Sequence, residues 1–230
     1  MPTEWEIAIA YDSDGRSGYQ TGWGFSAVVS VDDRRVLFDC GWDGHMLRHN
    51  LGRMGLTFAD IEKVVVSHAH WDHLSGLPEV LSEPMRTDPL EVFVPASFSD
   101  NLKKEISKRA QLREVDGPEE VVPGLVSTGQ LGSPLQEQSL VVVDGGKAIV
   151  LTGCAHPGLG VIFGRVEEIA RPSWIVGGLH GAKASYLPSS LDRLVLCHCT
   201  KEKDAILAAF PGKASIGKAG DVLTPTGQAD

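Results

Sequence analysis

The chain has 230 residues, 42% hydrophobic and 22% charged, with a formal net charge of −9. Those values describe an ordinary globular protein whose average field repels a nucleic-acid backbone or an anionic membrane. No apolar run approaches the ~20 residues of a membrane-spanning helix, and the acidic N-terminus is not the basic start of a secretory signal.

The expectation is therefore a single cytoplasmic domain over residues 1–230. Its partner would be a small-molecule substrate, with neither nucleic acid nor membrane favoured. A chain of this size buries about 70% of its surface, and such a core needs no disulfides. Four cysteines, Cys40, Cys154, Cys197 and Cys199, lack the spacing of a structural zinc knuckle and read as buried free thiols.

Along the chain, Ile7–Tyr11, Phe25–Val31 and Val36–Asp39 are short β-rich runs, the last two separated by a turn at Asp32-Asp33-Arg34. Met46–Met54 has helical spacing, and Thr57 is placed to cap a second helical segment over Phe58–Ile61. Lys63–Ser67 is a Val-rich strand and Val92-Phe93-Val94 another. Ser97–Gln111 reads as a charged surface helix capped by Ser97 or Ser99. Asp144-Gly145-Gly146 favours a tight hairpin turn into the strand Ala148–Thr152. A helix over Val161–Ala170, strands at Trp174–Val176 and Leu194–Leu196, and a last helix over Lys201–Ala209 complete an α/β pattern.

The strongest chemical signal is Ser67-His68-Ala69-His70-Trp71-Asp72-His73, directly after a strand. Three imidazoles and a carboxylate within six residues are costly to desolvate unless paired or metal-bound. Alternate residues leaving a strand share a face, so His68 and His70 point to one side. Asp72 and His73 continue round the turn to a neighbouring point. The arrangement offers ligands to two metal ions, and imidazole with carboxylate suits zinc, with iron or manganese as alternatives.

This His-x-His-x-Asp-His motif, with Leu37-Phe38-Asp39-Cys40-Gly41 before it, resembles the metallo-β-lactamase fold superfamily. The segments at 151–158, 177–180 and 198–200 resemble one branch of it, the dihydropterin-type ribofuranosyl-aminobenzene phosphate synthases. The resemblance implies a four-layer αβ/βα sandwich with two divalent transition metals at one edge. It also implies a hydrolase that uses a bridging hydroxide on an ester-type bond, a phosphodiester or lactone first. Synthase chemistry of the branch type and a non-catalytic metal or ligand sensor are the alternatives.

The chain departs from the family pattern, because no histidine lies between His73 and His156. His156 is the choice to complete the first metal with His68 and His70, and Glu137 is the other candidate for that position. Asp72 and His73 hold the second metal, with His198 as distal ligand and His180 as the competitor for that place. If His180 is not a ligand, it contacts substrate or acts as an acid. Asp72 also orients the hydroxide, and Asp39 supports the metal loop by hydrogen bonds.

Cys154 falls where relatives carry a bridging carboxylate or cysteine, and is read here as a buried small residue. His45 and His49, at i,i+4 spacing, read as a solvated helix face. Gly158-x-Gly160-x-x-x-Gly164 lacks the acidic partner of a dinucleotide loop and reads as tight packing.

Overall fold

A computed structural model describes residues 4–84 and 88–229, without the side chains of residues 228 and 229. The strands are β1 (Trp5–Tyr11), β2 (Ser26–Val31), β3 (Arg34–Phe38), β4 (Lys63–Val65), β5 (Glu91–Pro95), β6 (Gln111–Val115), β7 (Glu119–Val122) and β8 (Leu125–Ser127). Then follow β9 (Leu140–Asp144), β10 (Lys147–Thr152), β11 (Arg171–Gly177), β12 (Arg193–Leu196), β13 (Ala214–Ile216), β14 (Val222–Thr224) and β15 (Gly227–Ala229). Six α-helices intervene: α1 (Gly44–Arg53), α2 (Trp71–Leu74), α3 (Leu77–Leu81), α4 (Asp100–Ser107), α5 (Leu159–Glu167) and α6 (Lys203–Ala209).

The strands form two sheets. One runs β15-β14-β1-β2-β3-β4-β5-β6, the other β13-β12-β11-β10-β9-β8-β7. Alternation along each strand builds the layers. In β1, Ile7 and Ile9 enter the core between the sheets, while Ala8 and Ala10 face α1 and its neighbours. In β10, Ile149 and Leu151 face the inter-sheet core, while Ala148 and Val150 pack under α5 and α6. Helices α1, α3 and α4 thus cover the outside of the first sheet, and α5 and α6 that of the second. This is the four-layer αβ/βα sandwich of an α/β chain.

Most expected elements are present, with shifted ends. Helix α1 starts at Gly44 because Asp43 caps it, its side chain accepting the N–H groups of His45 and Met46. The segment after Thr57 is a 3-10 turn, Phe58–Asp60. The expected helix Ser97–Gln111 shortens to α4, capped by Ser99, and Gln111 instead opens β6 beside β5. Strands β6, β7, β8 and β13 to β15 were not expected. Among the described residues, no helix is long and apolar enough to cross a membrane.

Strands β3 to β6 run parallel, as do β10 to β13. The loops that leave β3, β4, β10, β11 and β12 at their C-terminal ends carry Asp39, the His68–His73 motif, Cys154 and His156, His180, and His198. Crevices outside such strand ends are where open α/β sheets place ligands.

Candidate metal centre

Two donor groups stand side by side at this edge. The first is His68, His70 and His156; the second is Asp72, His73, Cys154 and His198. Within each group one ligand atom per residue lies within 4.8 Å of the others. In the first group, His68 Nε2 faces His70 Nδ1 at 3.1 Å, and the His156 ring lies 4.8 Å from each of theirs. In the second, Asp72 Oδ2 is 3.6 Å from His73 Nε2 and 3.5 Å from His198 Nε2. Cys154 Sγ lies 3.3 Å from His73 Nε2 and 3.6 Å from His198 Nε2. The His68 and His73 rings, 4.3 Å apart, join the groups.

Cys154, expected as a buried small residue, is buried, and the geometry also makes it a candidate donor. Cys199 lies against it; that contact and His198 pull the Cys199 thiol below the usual range, while Cys154 is pushed up. His180 belongs to neither group. Its ring stands 5.0 Å from that of His156, at a left-handed φ of 46°. His45 is exposed on α1 and outside both groups, as is His49, which meets the Gly18 carbonyl at 3.4 Å.

Three buried carboxylates fix the donors. Asp39, at φ 59° just past β3, accepts from the Ser67 N–H at 2.6 Å and from its hydroxyl at 2.7 Å. It also lies 2.6 Å from His73 Nδ1. A carboxylate only accepts, so His73 carries its proton on Nδ1 and turns a lone pair at Nε2 toward the cluster. The Ser67 hydroxyl donates its hydrogen to the bond with Asp39, so at 2.8 Å it accepts from His68 Nδ1. His68 thereby turns a lone pair at Nε2 toward His70 and the cluster.

Glu137 does not occupy a donor position. It lies beneath the turn after β10, and its Oε1 accepts the N–H groups of Cys154 and Ala155 while Oε2 accepts that of His156, each at 2.9 Å. Ala155 sits at φ 58°, the strained point of that turn. Burial raises the Glu137 pKa against these three bonds. Asp12, after β1, accepts the His198 N–H at 2.9 Å, and burial pushes it up to about 6. Sequence reasoning missed these roles of Glu137, Asp12 and Ser67. Glu137 and Asp12 act on segments distant in the chain, and Ser67, although adjacent to His68, is oriented by the distant Asp39, so no local spacing announces these roles.

Three of the donors are held in the form that ligates, and two must give up a proton to a metal. Burial lowers His198, but its hydrogen bonds to Asp72 and Cys199 outweigh that and bring it to about 9, and the Cys154 thiol is pushed up as well. Burial and the neighbouring imidazoles hold His68 well below the usual histidine range, and burial with His70 and His180 lowers His156 to about 4. Burial raises Asp72, but the hydrogen bond to His198 and the charge of His73 outweigh it and bring it to about 2. Neutral imidazoles and an ionised carboxylate are the forms that ligate. The buried His156 Nε2 has no hydrogen-bond partner in the protein, as expected where a ligand completes a site.

Fold and donor cluster are those of a metal-dependent hydrolase. The family model described as "Beta-lactamase superfamily domain" matches residues 34–153, more than half of the chain, and the chain belongs to that superfamily. An uncharacterised protein of Methanocaldococcus jannaschii is 23% identical over 84% of this chain and 90% of its own length. From the same organism, 7,8-dihydropterin-6-methyl-4-(beta-D-ribofuranosyl)-aminobenzene-5'-phosphate synthase is 22% identical over 75% of this chain and 76% of its own. The ribonuclease Z of Picrophilus torridus is 35% identical over 43% of this chain, which spans 32% of that enzyme. Among solved structures, Tm1679, a metal-dependent hydrolase of the β-lactamase superfamily, superposes with a TM-score of 0.75 at 24% identity, covering 95% of this chain and 98% of that one.

Proposed function

We propose that the protein hydrolyses an ester-type bond, a phosphodiester or lactone first, with two divalent transition metals held by the two donor groups. The observation that carries this reading is the pair of adjoining groups, joined where the His68 and His73 rings meet. His68, His70 and His156 would hold one ion; Asp72, His73, Cys154 and His198 would hold the other. The thiol among them is a soft donor that favours zinc or iron over manganese. When bound, such ions would lower the pKa of a coordinated water toward neutrality and offset negative charge developing on the substrate oxygen.

The chain's own groups do the rest. Asp72, kept ionised, accepts a hydrogen bond from the attacking water and aims it. Asp39 and Ser67 hold the His73 and His68 rings in register, and Asp12 holds His198 through its backbone. His180, outside both groups and beside His156, contacts substrate and donates a proton to the departing oxygen. Similarity of part of the chain to ribonuclease Z supports the phosphodiester. The distant synthase relative supports the alternative, group-transfer chemistry of the dihydropterin type, which would require a second substrate.

The test is hydrolysis of activated phosphodiesters and lactones by protein of known metal content. Activity should vanish with a chelator and return with zinc, and Asp72→Ala and Asp72→Asn should both remove nearly all of it. His180→Ala should keep both metals and lose about 10²–10⁴ in turnover. Absence of hydrolysis across the screen by metal-replete protein would overturn the reading.

A further inference from the structure

The large hydrophobic side chains that remain exposed among the described residues are Trp23, Trp42, Trp71, Val161, Tyr186 and Ile216. Three of these six are tryptophans, exposed by 56%, 54% and 68% respectively. Single exposed apolar residues are ordinary, but tryptophan is the costliest side chain to leave in water, and all three lie on segments next in sequence to the candidate centre or packed against it. Trp71 stands between His70 and Asp72. Trp23 sets its ring edge-on to His198, with centroids 5.4 Å apart. Trp42 follows the Asp39-Cys40-Gly41 segment that supports the metal loop.

Backbone contacts tie these loops together. The Phe25 N–H donates to the Asp72 carbonyl at 3.2 Å, Gly41 to the Phe25 carbonyl at 3.0 Å, and Cys40 to the His73 carbonyl at 2.8 Å. Gly24, at φ 129°, comes so close that a Cβ there would meet the Asp72 carbonyl oxygen at 2.2 Å and the Trp42 nitrogen at 3.2 Å. Only glycine permits that approach. Trp71 also forms one wall of a mostly apolar cavity of about 320 Å³ between α2, α3 and α4, with Glu105 and Arg109 among its lining.

From this we infer that the three tryptophans form an aromatic rim around the metal centre, and that it selects substrates carrying a planar heteroaromatic ring of the nucleobase kind beside the scissile ester. The inference rests on the phosphodiester reading and adds a substrate class to it. Stacking on indole is sequence-tolerant and strong because every base presents a π-face. It also needs no basic groove, which agrees with a net charge of −9. The rim would bind the base while the centre engages the phosphate.

Two measurements on zinc-loaded protein decide it. The first compares two diesters with one leaving group, the p-nitrophenyl ester of thymidine 5′-monophosphate and methyl p-nitrophenyl phosphate. The nucleoside ester should be preferred at least tenfold in kcat/KM. That ratio should fall at least fivefold in Trp23→Leu and in Trp71→Leu, and recover in Trp23→Phe, which restores a ring but not the indole. A ratio near one, or one unmoved by both leucine variants, overturns the inference.

The second measurement follows quenching of tryptophan fluorescence. Adenosine 5′-monophosphate should quench at concentrations at least tenfold lower than ribose 5-phosphate. Equal quenching by both overturns the rim. Hydrolysis of neither diester would overturn the hydrolase reading alone, because quenching still decides whether the rim binds a base.

Discussion

Glu137 concentrates the residue-scale argument, because one buried side chain supports donors of both groups. Glu137→Ala leaves three buried N–H groups without an acceptor and frees a turn that needs Ala155 at positive φ. Metal affinity should fall by about 10- to 100-fold, as for other supports of ligating residues. Glu137→Gln keeps the shape and one acceptor oxygen and should lose less; competition against a chromogenic chelator measures both. Cys154→Ala should remove the metal of the second group and leave that of the first. In cobalt-substituted protein it should also abolish the sulfur-to-metal absorption band, and a band that persists would place the thiol outside the coordination sphere. His68→Ala should lower the metal content from two toward one without unfolding the chain.

At the scale of elements, the strand ends set the geometry. Gly178 directly follows β11, and an added Cβ there would lie 2.4 Å from the Gly153 carbonyl oxygen and 2.5 Å from Cys199 Sγ. Gly178→Ala must therefore push the ends of β10 and β12 apart. It should cost about 1–3 kcal/mol, read from thermal or urea unfolding, and lower metal content with it. The sequence made this level partly legible. The His68–His73 motif was readable because its donors are contiguous, and β1 to β4 because their apolar runs are short and bounded by turns. Strand β6 was hidden, since Gln111, Arg113 and Glu114 are exposed at the sheet edge and look equally at home on a helix. Only pairing with β5 makes that segment a strand. The place of Cys154 among the candidate donors is not legible in the sequence for a similar reason. Its donor neighbours Asp72 and His198 are some 80 and 44 residues away in sequence, and only the meeting of the two sheets brings them together.

For the whole molecule, metal and proton act on folding stability. An ion that binds only the folded chain stabilises it by about 4 kcal/mol at a thousand times its dissociation constant. For a chain of this size that is on the order of 10 °C in melting temperature, so a chelator should lower the melting temperature by about that much. In the chelated protein two histidines work against stability in acid, while Asp12, raised to about 6 by burial, works the other way. His156 falls to about 4 in the folded state against 6.5 unfolded, and His68 moves the same way. Their contribution is fully present above pH 6.5, declines as the unfolded chain takes up protons, and is gone once pH falls below the folded values. Melting temperatures between pH 7 and pH 4 test this, and His156→Ala should flatten the slope. A last consequence comes from the turn after β10. Cys154 and His156 stand two residues apart in one strained turn, yet face different donor groups. Whichever ion arrives first immobilises that turn and leaves less ordering for the second, so the two affinities are linked and the linkage is reciprocal. Calorimetric titration should show the second zinc binding more tightly than its own group achieves when the first group is disabled by His68→Ala. The pair of sites would then fill as one cooperative unit rather than as two independent ones.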